Sequence, residues 1–226
     1  MTRADRRAGF FRNNGLSLAM FGLFALSAAG QIAAGFRVHN EELVELGARA
    51  LSLGGYLTSG AFAEAVFENW ESEFLQMALF VLLTKSLRQR GSSESKQLTG
   101  AADVDEDPRV APRKPNVPWP VKRGGLVLKL YERSLSLALI ALFAVCFMGH
   151  ALGGARAYSE QQLLHGHAGV DLIGYLGTSQ FWFESFQNWQ SEFLSIGVLI
   201  YLSIYLRERG SSQSKPVAAP HAQTGE

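Results

Sequence analysis

The sequence predicts an all-α integral membrane protein whose four transmembrane helices form two parallel two-helix repeats. Three observations lead to this prediction: long apolar segments without charge, an internal repeat, and positive charge clustered on one side of the predicted spans. The overall composition hides this class, because the 226 residues carry a net charge of +1 and 47% are hydrophobic. This charge balance offers no basic field for nucleic acid, and the single Cys146 excludes an intramolecular disulfide framework.

Two segments are long enough to cross a membrane by themselves. Residues 16–36 and 135–154 are uncharged runs of about 20 residues, the length that crosses a hydrocarbon core of about 30 Å. A cleaved signal peptide is the alternative for the first run, but the matching second run lies in the middle of the chain. Two further apolar runs, 74–84 and 193–206, span only about 11 to 14 residues and need independent support.

An internal repeat supplies that support. A shift of 119 positions places residues 16–96 on residues 135–215 without a gap, and about 33 of the 81 pairs are identical. The clearest pair is RQRGSSESK at 88–96 and RERGSSQSK at 207–215. This level of identity indicates tandem duplication, and a two-span repeat preserves orientation across the membrane.

Positive charge predicts the orientation of the four spans. Basic residues precede the first and third spans and follow the second and fourth: Arg3, Arg6, Arg7, Arg12, Arg88, Arg90, Lys96, Lys122, Arg123, Lys129, Arg133, Arg207, Arg209 and Lys215. The segments inside the repeats carry only Arg37, Arg49 and Arg156. By the positive-inside rule, both termini and the central linker are cytoplasmic.

These features divide the chain into four parts. Residues 1–96 form the first two-helix membrane repeat, and 126–215 form the second. The linker at 97–125 is cytoplasmic and flexible, because it holds five of the seven prolines: Pro108, Pro112, Pro115, Pro118 and Pro120. Residues 216–226 are predicted to be a disordered tail.

A polar motif fills the outer third of each shorter span. FENWESEFLQ at 67–76 pairs with FQNWQSEFLS at 186–195. A helix that started at Phe74 and ended at Leu87 would be about 21 Å long, too short for the hydrocarbon core, so the helix must continue through the motif. Helical spacing then places one polar stripe on each helix: Asn69, Glu73 and Gln76 on one, and Asn188, Glu192 and Ser195 on the other.

The two glutamates of the stripes are the candidate functional groups. Glu73 and Glu192 would lie several ångströms inside the apolar layer, where an ionisable group is costly unless it is paired, protonated or hydrated. Related by the repeat, they could share a proton. The structural alternative is that both carboxylates only lock helix packing through hydrogen bonds.

The remaining polar and small residues of the spans have structural interpretations. Glu68 and Glu71 pair with Gln187 and Gln190, so we expect them to be exposed to solvent. Other assignments are interfacial aromatic anchors at Trp70 and Trp189, close helix packing at Gly149 and Gly153, and an interhelical hydrogen bond at His150, which pairs with Gln31.

The motifs NNGLSLAMFGLFAL, GYLTSGAF, ENWESEFLQ and LRQRGSSESK make the chain similar to a family of small bacterial integral membrane proteins known only as a domain of unknown function. The resemblance implies the bacterial cytoplasmic membrane as the location. It supplies no reaction, ligand or site residue.

No catalytic motif is present in the sequence, and His165 and His167 are too weak a pattern for a metal site, so we expect no metal, no cofactor and no enzymatic activity. The expected partners are the lipid bilayer and a second copy or another membrane protein. We therefore expect a structural or interaction component of the membrane, with a small proton- or cation-linked transporter or channel using Glu73 and Glu192 as the alternative.

Overall fold

The protein is all-α, as predicted. The computed structural model describes residues 3–100, 102–110 and 116–225, and for residues 3–8 the backbone alone. Within these ranges 70% of the chain is helical and no strand is present. The α-helices of this part are α1 (Arg3–Glu45), α2 (Leu53–Leu57), α3 (Gly60–Ser86), α4 (Trp119–Arg123), α5 (Gly125–Tyr131), α6 (Ser134–Leu164), α7 (Leu172–Leu176) and α8 (Ser179–Tyr205).

Two of the described helices are long and apolar enough to cross a membrane. They are the Gly9–Glu45 part of α1 and the whole of α6. Helices α3 and α8 have 27 residues each, which corresponds to about 40 Å of helix. Both run without interruption through the polar motif, so the prediction that the helix continues through it is confirmed.

Helix ends recur at the spacing found in the sequence. Helices α1 and α6 end 119 residues apart, and both ends of α2 and α7, and of α3 and α8, are offset by the same number. The starts of α3 and α8 have the same cap, since Ser59 accepts a hydrogen bond from the Phe62 N–H and Thr178 from the Phe181 N–H. Such side-chain caps satisfy backbone donors that a helix start leaves unpaired.

The chain divides into two compact units. The first consists of Met1–Glu64 and Leu152–Leu172. In this unit the start of α3 approaches α6 closely at two glycines: a Cβ at Gly60 would lie 2.6 Å from the Ala157 nitrogen, and one at Gly153 would lie 2.6 Å from the Glu64 nitrogen. Real Cβ atoms do not approach backbone this closely, so both positions need glycine.

The second unit consists of Ala65–Ala151 and Ile173–Glu226. It contains the turns that follow α3 and α8, which have the same hydrogen bonds. Ser95 Oγ accepts from the Gln89 N–H and Ser214 Oγ from the Glu208 N–H, both at 2.9 Å. Gly91 and Gly210 have φ values of 85° and 89°, which explains why both turns carry glycine at this point.

The second turn also fixes the chain that follows it. Lys215 is buried, and its ammonium donates to the carbonyls of Pro220, His221 and Gln223 at 2.9 to 3.4 Å. Burial lowers the pKa of Lys215. The Gly91 N–H donates to Thr224 Oγ1 at 2.8 Å. Residues 216–225 therefore have an internal lysine anchor and a contact with the earlier turn.

The linker is anchored by Lys96, the residue in the first repeat that corresponds to Lys215. Lys96 forms a 2.5 Å ion pair with Asp105, next to a 3-10 helix at Asp103–Asp105, and this hydrogen bond lowers the pKa of Asp105. Arg123 stacks on Trp119 in α4 at 5.2 Å. Pro112 and Pro115 lie outside the described residues, as do the side chains of Arg3, Arg6 and Arg7.

We expect Lys215→Met to release the tail without unfolding the protein. The substitution keeps the apolar stem but removes the ammonium that holds three carbonyls. Amide hydrogen exchange over residues 217–225 should rise roughly tenfold. Lys129→Met, at an exposed position of α5, is the control. Unchanged exchange in Lys215→Met would mean that the lysine does not hold the tail.

Candidate functional site

The candidate site is a histidine held between two carboxylates in the second unit. His150 on α6 is fully buried. Its Nδ1 lies 3.1 Å from Oε2 of Glu71 on α3, and its Nε2 lies 3.3 Å from Oε2 of Glu184 on α8. We call these three side chains the carboxylate–imidazole cluster. It joins three helices through one imidazole ring.

Further hydrogen bonds orient both carboxylates of the cluster. Trp189 donates its indole N–H to the second oxygen of Glu71 at 3.1 Å. Tyr175 donates its hydroxyl to Oε2 of Glu184, and Gln180 donates to Oε1, each at 2.5 Å. Each carboxylate oxygen therefore has a defined partner, which fixes the carboxyl planes relative to the ring.

Aromatic side chains enclose the imidazole. The Phe181 ring lies 5.0 Å from the His150 ring at an angle of 34°. Tyr175 and Phe147 pack edge-on against Phe181 at 5.4 and 5.5 Å. Tyr175 and Phe181 are completely buried. These rings keep bulk water from the imidazole and strengthen the electrostatic interactions within the cluster.

The two carboxylates differ in their access to solvent. The Glu71 side chain is fully buried, whereas the Glu184 side chain is 15% exposed. Glu184 also contacts Gln180, which is exposed. Glu68 lies within electrostatic range of all three members of the cluster. The cluster thus has one enclosed carboxylate and one near the surface.

A buried hydroxyl lies on the same face of α8. Ser185 is one helical turn from both Phe181, which packs on His150, and Trp189, which donates to Glu71. Its Oγ is buried and has no hydrogen-bond partner among the described residues. A buried hydroxyl without a partner is uncommon, so Ser185 is the one polar group on this face of α8 that the described contacts leave unexplained.

The hydrogen-bond geometry requires an additional proton. A neutral imidazole has one N–H donor and one acceptor nitrogen, and an ionised carboxylate only accepts. With both carboxylates ionised, a neutral His150 would direct a nitrogen lone pair at a carboxylate oxygen. Either both ring nitrogens are protonated or one carboxyl is, so the cluster holds at least one proton beyond the first N–H.

Glu71 and Glu184 contact opposite sides of the imidazole ring. Each ring nitrogen therefore has its own carboxylate partner. This arrangement suits proton exchange, because an imidazole can accept a proton at one nitrogen and release one from the other.

The two predicted glutamates lie near each other but outside the cluster. Glu73 is exposed and Glu192 is partly buried, and the two lie within electrostatic range of one another. Their neighbours in the predicted stripes use their side chains locally: Asn69 donates to the Ala65 carbonyl, Asn188 to that of Glu184, and Ser195 to that of Glu192. Gln76 is partly buried.

The remaining predicted residues differ from one another in their surroundings. Trp70 is 38% exposed, whereas Trp189 donates to Glu71 and so belongs to the site. A Cβ at Gly149 would lie 2.5 Å from the Phe67 ring, and Gly153 lies at the close approach described above. The two glycines thus both lie where helices pack closely.

The prediction that Glu71 is exposed to solvent is wrong. Glu71 is fully buried, and it tolerates burial because His150 and Trp189 each form a hydrogen bond with one of its two oxygens. Sequence reasoning also missed Glu184, Tyr175 and Gln180. One signal was available in the sequence, because the cluster uses residues that differ between the two repeats. At a spacing of 119 residues, the counterparts of Glu71, His150 and Glu184 are Gln190, Gln31 and Ala65.

All residues of this site lie in the part of the chain that matches a protein family. The family described as Domain of unknown function (DUF6766) matches residues 7–226. The chain belongs to this family. All members of the carboxylate–imidazole cluster fall inside the DUF6766 match, as do both turns and the tail. No curated protein and no solved structure matches the chain.

Proposed function

We propose that this DUF6766 protein is a bacterial cytoplasmic membrane protein with four spans, built from a duplicated two-helix unit, with both termini and the linker in the cytoplasm. Helices α1, α3, α6 and α8 are the spans. The recurrence of helix ends, caps and turns at 119 residues supports the duplication. The lengths of α3 and α8, about 40 Å each, support two spans beyond the two apolar helices.

The function that the geometry supports best is proton binding and transfer at the carboxylate–imidazole cluster. One observation carries this proposal: a buried imidazole lies between two carboxylates that can only accept hydrogen bonds when ionised, so the cluster must bind an additional proton. Ionisable groups inside a membrane are costly and typically mark proton or ion pathways.

The exposure of the carboxylates suggests a direction for the transfer. A proton reaches Glu184, which is near the surface, passes through the two nitrogens of His150, and arrives at the enclosed Glu71. Glu73 lies two residues further along α3, within electrostatic range of Glu192. Residues two positions apart face different sides of a helix, so Glu73 and Glu192 form a pair separate from the cluster.

A structural or interaction component of the membrane is the second candidate. The observation that favours it is that the same hydrogen bonds tie together α3, α6 and α8, while large apolar side chains such as Phe183 and Leu194 are 63% and 66% exposed. Such side chains suit contact with lipid, a second copy or another membrane protein.

The two candidates differ in proton flux through proteoliposomes. We expect the wild-type protein to dissipate a pH gradient, and Glu71→Gln and Glu184→Gln each to lower the rate at least tenfold, about 1.4 kcal/mol in barrier. The double variant Glu73→Gln with Glu192→Gln tests whether these two carboxylates also take part in proton flux. Glu42→Gln, at an exposed position of α1, is the control.

Each outcome of the flux assay separates the candidates. Flux that depends on Glu71 and Glu184 in variants that melt like the wild type supports proton transfer. Absence of wild-type flux under any gradient, with Glu71→Gln merely less stable, would favour the structural role.

A further inference from the structure

A cleft of about 980 Å³ lies in the second unit, away from the carboxylate–imidazole cluster. Its walls come from the last turns of α3, the turn that follows, the segment at 102–105, the start of α6 and the tail residue Gly225. The volume is within the range of ligand pockets. Hydrogen bonds fix two of these walls, since the Gly225 N–H donates to the Ser92 carbonyl and the Gln89 N–H to Ser95.

The cleft combines apolar and cationic groups. Val81 and Leu82 lie on α3, and Lys85 follows them by one turn. Arg133 lies directly before α6. Neither Lys85 nor Arg133 has an ion-pair partner in the part of the chain that the structure describes. The cleft therefore offers two cations that are free to bind an anionic group beside an apolar surface.

Four acidic residues also line the cleft. Asp105 is paired with Lys96, and Glu132 lies 3.5 Å from Arg109. Glu94 and Asp103 also line the cleft, and across residues 3–100, 102–110 and 116–225 they have no cationic partner. The unpaired charges of the cleft are thus two positive and two negative.

We propose that this cleft binds the headgroup of a zwitterionic aminophospholipid, phosphatidylethanolamine being the simplest. Lys85 and Arg133 bind the phosphate, Glu94 and Asp103 accept hydrogen bonds from the primary ammonium, and the acyl chains lie against Val81 and Leu82. The proposal uses the four-span topology, which places the end of α3 and the start of α6 at the cytoplasmic boundary, but it does not depend on proton transfer.

The charge pattern selects this headgroup over other phospholipids. An anionic headgroup with a glycerol or a second phosphate would satisfy Lys85 and Arg133 but leave Glu94 and Asp103 without a cation. A choline headgroup has the right charge, but its quaternary ammonium has no N–H to donate to a carboxylate. The primary ammonium satisfies both acids by charge-assisted hydrogen bonds.

Native mass spectrometry of the full chain in detergent tests the proposal, with added phosphatidylethanolamine, phosphatidylglycerol or phosphatidylcholine. We expect phosphatidylethanolamine to bind at least tenfold more tightly than the other two. Lys85→Ala with Arg133→Ala should weaken phosphatidylethanolamine and phosphatidylglycerol alike. Glu94→Gln with Asp103→Asn should remove the preference for phosphatidylethanolamine by weakening that lipid alone.

Matched controls separate the lipid site from general effects. Lys122→Ala with Lys129→Ala removes two exposed cations that do not line the cleft and should leave binding unchanged. Water-soluble glycerophosphoethanolamine tests the source of the headgroup: weak competition supports a lipid site, whereas competition as strong as that of the whole lipid would assign the cleft to a free zwitterion. Melting curves in detergent confirm that each variant is folded.

Equal binding of all three lipids, or a preference for phosphatidylglycerol, would overturn the proposal. So would phosphatidylethanolamine binding that neither double variant changes. His150→Gln should keep the lipid preference, so loss of proton flux and loss of lipid selectivity are separate results. A chain that purifies without detergent would refute the topology itself.

Discussion

His150→Leu is expected to be among the most destabilising single substitutions in this protein. Leucine fills the space of the ring but removes both nitrogens, so Glu71 loses the partner of one oxygen inside a buried site and Glu184 loses one of its three. Removing one partner from a buried ionic group typically costs about 3–5 kcal/mol. A lower melting temperature in detergent, or loss of folded protein, would show this cost.

The paired position supplies the control for His150→Leu. Gln31 occupies the corresponding place in α1 and is exposed, so Gln31→Leu should change the melting temperature little. If both variants melt like the wild type, His150 is not the centre of a buried hydrogen-bond network. Equal destabilisation by both would mean that the effect comes from the added apolar group.

Gly153→Ala is expected to destabilise the protein by about 1–3 kcal/mol, the usual cost of adding volume to a closely packed contact. The new Cβ would lie 2.6 Å from the Glu64 nitrogen and 2.9 Å from the Ala63 Cβ. Backbone cannot move aside as a flexible side chain can, so the helices must separate. The loss should exceed the gain of up to about 1 kcal/mol that alanine brings to a helix interior.

Gly22→Ala is the matched control for Gly153→Ala. Gly22 also lies inside a long helix, α1, but no atom lies within 4 Å of the Cβ position. There alanine should raise the melting temperature or leave it unchanged. Opposite effects of the two substitutions would confirm a close helix contact at Gly153. Two increases of similar size would contradict it.

Much of the fold could be predicted because its signals are local or periodic. The uncharged run at 135–154 lies within α6, and the pairing of residues 16–96 with 135–215 agrees with the equal lengths of α3 and α8. A helix that began at Phe74 would be too short to span a membrane, which correctly predicts that α3 continues through the polar motif. Hydrophobic length and helical geometry suffice for these features.

The candidate site could not be predicted in the same way. Comparing the two copies favoured residues that they share, such as Glu73 and Glu192, whereas the carboxylate–imidazole cluster uses residues found in one copy only. The pairing of Glu71 with Gln190 predicts that Glu71 is exposed to solvent, because the charge is not shared by both copies. The physical reason for the charge at Glu71 is His150, a partner 79 residues away, which no local pattern reveals.

The contacts of the tail could not be predicted either. Residues 216–226 contain one large apolar side chain, Val217, so composition alone predicts disorder. The contacts that the structure describes come from one buried lysine and three carbonyls, and from a hydrogen bond between Gly91 and Thr224 across 133 positions of the chain. Side-chain to backbone contacts of this kind leave no signature in hydropathy.

The proposed function requires that the carboxylate–imidazole cluster holds a proton in addition to the single N–H of a neutral His150. Nitrogen-15 NMR of histidine-labelled protein, combined with infrared spectroscopy of the carboxyl groups at pH 7, tests it most directly, with His150→Gln, Glu71→Gln and Glu184→Gln to assign the signals. We expect either two protonated nitrogens on His150, or one together with a protonated carboxyl band that Glu71→Gln or Glu184→Gln removes. A single protonated nitrogen with both carboxylates ionised would contradict it.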